Sequence, residues 1–253
     1  MNTILYSDNF RTALHAPITR THEHDLRSAL HALMFELLQP PARKHDPSLQ
    51  GMLSQCHLRM RELQLLVDAT RDEHEFALQH CDLRSLLEDL CAATDLLLSP
   101  HGRSITFTAP HELVELPCAP RELTFLVLEL IANALRHTCS EDVTVTLRRK
   151  THAITLTVES TGRLDLDELH RHAQQPGSGT SAMLRTAWLH RGTLLWLQRN
   201  KKSVVSLKLP TDLDMPRHHY DSPDLVDLLA DQCSPIYVGL AQVISQTSPQ
   251  IPR

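Results

Sequence analysis

From Thr21 onward the apolar positions Leu26, Leu30, Leu33 and Leu37 recur at a 4-3-4 spacing, one stripe of a helix that Pro40-Pro41 ends. After a polar loop, Leu49, Leu53, Cys56, Met60, Leu63, Val67 and Thr70 continue at 4-3-4-3-4-3, a heptad seam. Two such helices joined by a short loop predict an antiparallel hairpin over residues 19–78. A hairpin has too little surface to cover both seams, so pairing with a second copy into a four-helix dimer is expected. Packing of the hairpin on the chain's own C-terminal part is the other arrangement the pattern allows.

The pattern changes at Cys81. Asp82 is placed to cap a helix carrying Leu83, Leu86, Leu87, Leu90 and Leu97, which Ser99-Pro100-His101-Gly102 closes. Ile105-Thr106-Phe107-Thr108 and Leu113-Val114-Glu115-Leu116 read as short strands, and Pro120 suits the first turn of a following helix. In that helix Leu123, Val127, Leu130 and Ala134 form a core-facing stripe. Glu129 and Asn133, four apart, share another face, either as the wet edge of the helix or beside a bound ion or phosphate.

Alternation over 143–147 and 154–158 marks half-buried antiparallel strands. A polar, charged stretch over 164–175 leads to Pro176-Gly177-Ser178-Gly179, a helix over 181–190, and a closing hairpin of strands 193–197 and 203–209. This order predicts an α+β fold, a two-layer sandwich with helices on one face of a mixed sheet. The division is 1–18 as an N-terminal segment, 19–78 as the hairpin, 79–210 as the sandwich, and 211–253 as a tail of unassigned role, with a short helix at 224–230.

The chain has 253 residues, 42% hydrophobic and 22% charged, enough for one large or two modest cores. A net charge of −5 with scattered basic residues argues against a nucleic-acid partner. The six cysteines form no CxxC pair, and the 17 histidines form no metal-ligand spacing with them. No cationic leader precedes an apolar run, and Ile236 to Ile244 is too short to span a bilayer. These features lead to the expectation of a cytoplasmic protein with reduced cysteines and no direct membrane insertion.

His24-Asp25-Leu26-Arg27-Ser28-Ala29-Leu30 resembles the phosphoacceptor box of sensor histidine kinases, with Ala29 in place of the usual proline. It lies on the first helix of the hairpin, as in that family. A neutral imidazole is nucleophilic near physiological pH, and Asp25 is placed to take the other ring proton. Glu129-Leu130-Ile131-Ala132-Asn133-Ala134-Leu135-Arg136 in turn resembles the family's N-box. The resemblance implies that Asn133 holds the magnesium bridging ATP phosphates and that Arg136 approaches those phosphates. Glu129 stands where these kinases more often have Asn, and resembles the catalytic Glu of the wider ATPase superfamily that orients or activates water.

The glycine boxes depart from the family pattern. Glu159-Ser160-Thr161-Gly162-Arg163 stands where Asp-x-Gly-x-Gly is usual, placing Glu159 at the adenine-binding carboxylate and keeping one glycine, Gly162. Gly177-Ser178-Gly179-Thr180-Ser181-Ala182 keeps two glycines of the second box at a helix start suited to phosphate. No phenylalanine follows Phe125, whereas His190-Arg191-Gly192 is similar to the family's closing turn. The resemblance implies a homodimeric, ATP- and Mg2+-dependent kinase that phosphorylates His24 and passes the phosphoryl group to a response-regulator receiver domain. Its input would come from an upstream sensor partner, from the tail, or from a further part of the protein. The degenerate boxes equally suit a relative that relays phosphate without ATP, or a pseudokinase scaffold.

Overall fold

A computed structural model describes residues 2–5, 47–70, 77–137, 141–163, 165–212 and 218–247. The first hairpin helix, with His24 and Asp25, lies outside the described residues. The elements in chain order are β1 (Asn2–Leu5), α1 (Pro47–Thr70), β2 (Gln79–Asp82), α2 (Leu83–Leu98), β3 (Ser104–Thr108) and β4 (Glu115–Cys118). Then come α3 (Pro120–His137), β5 (Asp142–Lys150), β6 (Ala153–Thr161), α4 (Leu166–Ala173) and α5 (Gly179–Leu189). The chain closes with β7 (Thr193–Arg199), β8 (Lys202–Pro210), α6 (Leu225–Ala230), α7 (Pro235–Gly239) and α8 (Ala241–Thr247).

The main sheet runs β1-β7-β8-β6-β5-β3, parallel only between β3 and β5. Its period-2 patterning does what the sequence predicts. Val143, Val145, Leu147, Ile154, Leu156, Val158, Leu207 and Leu209 are all buried beneath the helices, while the intervening threonines face outward. Register fixes facing pairs such as Val145 with Val158 and Trp196 with Val205. The α+β sandwich is therefore the observed fold. Asp82 caps α2, accepting from Arg84 N at 3.1 Å, and α3 buries the expected stripe of Leu123, Val127, Leu130 and Ala134.

Four features differ from the sequence expectation. The strand expected at 113–116 is shifted to Glu115–Cys118 and pairs with β2 in a separate two-stranded sheet. The polar stretch at 164–175 contains α4, capped by Asp165, which accepts from the backbone N–H groups of Asp167 and Glu168 at 3.0 Å. β1 pairs with β7 at the edge of the main sheet. The tail beyond Pro210 is part of the core: Leu228, Ile236, Leu240 and Val243 join the same buried cluster.

Helix α1 packs against α5, α7 and α8. Its inward residues are Cys56, His57 and Arg61, whereas seam residue Val67 is 39% exposed. Helix α1 therefore docks on the C-terminal part of its own chain, burying Cys56 of the seam while Leu53, Met60 and Leu63 are half-buried. Among the described residues no helix is long and apolar enough to cross a membrane.

Candidate functional site

Between α3, α4, the start of α5 and the sheet lies a cavity of about 540 Å³, within the range of small-molecule sites. Its floor is Val158 and Ser160 of β6, Trp196 of β7, and Ser203 and Val205 of β8. Asn133, Arg136 and His137 of α3 form one wall, and Glu168, Leu169 and His172 of α4 another. Gly177 to Thr180 close one end, and Arg61 of α1 and Gln242 of α8 reach in from outside the sandwich.

Asn133 and Arg136 meet here because three residues on a helix bring side chains to one face. The Asn133 Oδ1 accepts from Arg136 Nη2, and Arg136 Nη1 donates to Gln242 Oε1. The Asn133 amide nitrogen lies 3.8 Å from Met183 Sδ, a weak acceptor. Arg136 Nε is buried without a partner among the described residues. Burial pushes the Arg136 guanidinium below its ordinary value, with Glu129 opposing. It stays cationic in any accessible pH range. A buried cation with an orphaned donor on a cavity wall is a site for an anionic oxygen.

The two glycines act differently. Gly177 has φ +76, a left-handed conformation that costs glycine least. Gly179 is required for space: a Cβ there would collide with Glu129 Oε2 and lie 3.2 Å from Arg61 Nη2. Ser178 between them caps α5, accepting from Ser181 N at 3.1 Å. The first turn of an 11-residue helix thus opens on the cavity with its positive dipole end.

Glu129 is not a wet edge. It is 4% exposed and its Oε1 accepts from Arg61 Nε at 2.7 Å and pairs with Nη2 at 2.5 Å. Its carboxylate points toward α1 and is not among the groups lining the cavity. Glu159 is likewise elsewhere. It sits on the outer face of β6, paired with Lys202. The alternation Ile154, Leu156, Val158 places Ser160 on the inner face, so Ser160 and not Glu159 meets the cavity. Gly162 makes a turn outside the cavity, donating its N–H to Lys201 O at 2.7 Å. The structure therefore brings together Asn133, Arg136, Gly177 and Gly179, and leaves Glu129, Glu159 and Gly162 off the cavity wall.

Sequence reasoning missed Arg61, Ser160, Ser203 and Gln242. The period-2 pattern of β6 contained the signal for Ser160; Arg61 and Gln242 meet this site only through tertiary packing. Among the described residues no group of three or more His, Cys, Asp or Glu side chains is placed to hold a metal ion.

No protein-family model matches the sequence, and no curated protein matches it either. Solved structures do. Acinetobacter baumannii histidine kinase AdeS is similar with a TM-score of 0.52 at 18% identity, over 77% of this chain and 97% of that one. Histidine kinase ThkA, in its complex with the response regulator protein TrrA, is similar with a TM-score of 0.56 at 9% identity. That match covers 79% of this chain and 63% of ThkA. The described residues share the fold of these histidine kinases.

Proposed function

We propose that this chain is a two-component histidine kinase core that binds Mg-ATP in the cavity beneath α3 and phosphorylates His24. The observation that carries this reading is the convergence of Asn133, Arg136, Gly177 and Gly179 on one cavity of about 540 Å³. Arg136 Nε and the start of α5 offer donors to phosphate oxygens. Nucleotide-bound magnesium takes only one or two protein ligands beside phosphate and water, a requirement Asn133 alone fits once its Oδ1 leaves Arg136. The ion would neutralise phosphate charge during transfer. A nitrogen of the His24 ring would attack the γ-phosphorus as the bond to the β-phosphate oxygen breaks, with Asp25 accepting the other ring proton and ADP leaving. The phosphoryl group then passes to an aspartate of a response-regulator receiver domain. The working unit in this reading is a homodimer in the cytoplasm, with an upstream sensor partner.

A second reading, an ATP-independent phosphotransfer protein or pseudokinase scaffold, has its own support. Asn133 and Arg136 engage each other and Gln242, and Glu129 is neutralised by Arg61. Labelled Mg-ATP separates the two. The kinase reading expects acid-labile label on the full chain that His24→Gln abolishes. Absence of label together with absence of ATP binding by calorimetry would overturn it. Transfer from a phosphorylated regulator to His24 would then support the relay.

A further inference from the structure

We propose that Ser160 and Ser203 read the edge of the bound base, and that the cavity takes purine nucleotides with either a 6-amino or a 6-oxo edge. This rests on the nucleotide-binding reading above. Both serines are 4% exposed and both line the cavity. Neither hydroxyl has a hydrogen-bond partner among the described residues. Buried hydroxyls that open on a cavity are positioned for a polar group arriving with a ligand.

The two residues are register partners in the β6–β8 ladder, which sets their side chains side by side on one face, roughly 5 Å apart at Cβ. Val158, Val205 and Trp196 surround them, so the floor is an apolar plate with two hydroxyls in it. That is the composition that orients a flat heterocycle. A carboxylate at this place would only accept and would select an amino edge. A serine hydroxyl donates once and accepts twice, and it rotates to suit its partner. Glu159, the nearest carboxylate in sequence, is on the other face of the sheet with Lys202. The carboxylates that line the cavity, Asp165 and Glu168, belong to the cap and first turn of α4 and not to the floor, so nothing charged on the floor itself discriminates an amino group from a carbonyl.

The test is calorimetric titration of the full chain with Mg-bound, non-hydrolysable analogues of adenosine and guanosine triphosphate. The expected dissociation constants lie within about tenfold of each other, the span of one net hydrogen bond. Ser160→Ala and Ser203→Ala should each weaken both analogues by about three- to tenfold. Ser160→Asp should shift preference to the adenosine analogue by at least about tenfold. A native preference for adenosine above about a hundredfold would overturn the inference and leave nucleotide binding standing. Alanine variants that bind both analogues like the native chain would also overturn it. Failure of the native chain to bind either analogue would overturn the nucleotide reading itself.

Discussion

At the scale of single residues, Glu129 ties three elements together. Its carboxylate meets Arg61 of α1, and the start of α5 can lie against it only because residue 179 has no Cβ. Burying both charges costs several kcal/mol of desolvation, offset by the close pairing, so breaking the pair is worse than never having it. Arg61→Ala should destabilise the protein by about 3–5 kcal/mol by leaving a buried carboxylate alone, read as a drop in urea midpoint. Combining it with Glu129→Leu should recover most of that loss. Gly179→Ala should also destabilise, because its Cβ would meet the Glu129 carboxylate. If Arg61→Ala combined with Glu129→Leu is no better than Arg61→Ala alone, the pair does not hold these elements. Spacing in the sequence marked Glu129 but not its partner Arg61, which is 68 residues away and meets it only through tertiary packing.

At the scale of elements, what was legible followed from periodicity. The alternation in β5, β6 and β8 and the stripe of α3 each specify one buried face, and each element formed as read. Helix α4 was hidden because it is short and mostly polar, burying Leu169 and Ala173. Its cap was nonetheless written in Asp165 and Glu168, an acidic residue three positions after a capping one. β1 has four residues and no pattern of its own; pairing with β7 defines it. The tail helices α7 and α8 were equally illegible, since five and seven residues are too few to show a period. Their burial is substantial, however. Gly239 sits against Leu128 so closely that a Cβ would lie 2.8 Å from it. Ile236, Leu240 and Val243 are fully buried, and together contribute roughly 5–9 kcal/mol. That rivals the whole stability of an ordinary domain, about 5–15 kcal/mol. A chain ending at residue 230 should therefore lose its cooperative thermal transition, measured by circular dichroism. A native-like transition in that shortened chain would show the tail to be an accessory.

At the scale of the whole molecule, contacts join the helices that wall the cavity, and one of these titrates. His190 follows α5, and Ala119 immediately precedes α3. The imidazole bridges them: Nδ1 donates to Thr186 O at 2.7 Å, and Nε2 accepts from Ala119 N at 2.9 Å. Those two bonds require the neutral ring with its proton on Nδ1. Burial pushes the folded His190 below the ordinary histidine value, outweighing its bond to Thr186 and nearby Glu122. A second proton would set Nε2–H against the Ala119 N–H. His57, between α1 and the tail, is lowered by burial as well, but its Nε2 lies 2.8 Å from Gln232 O and can donate there when charged. His137 on the cavity wall is lowered too, by burial first and then by Arg136, so His190 contributes one part of the acid sensitivity. The unfolded ring titrates near about pH 6.5, so the unfolded chain binds more protons as soon as pH falls below that value. The stability contributed by the neutral ring is complete above that pH and is lost as pH falls toward the lowered folded value. Urea midpoints measured from pH 7.5 down to 5.0 should decline through this window. His190→Gln should start lower at pH 7.5 and show a shallower decline. A variant that keeps the native slope would place the acid sensitivity elsewhere. Because the ring joins the helix of Asn133 to the helix of Gly179, affinity for Mg-nucleotide should weaken over the same pH range in the native chain and less so in the variant.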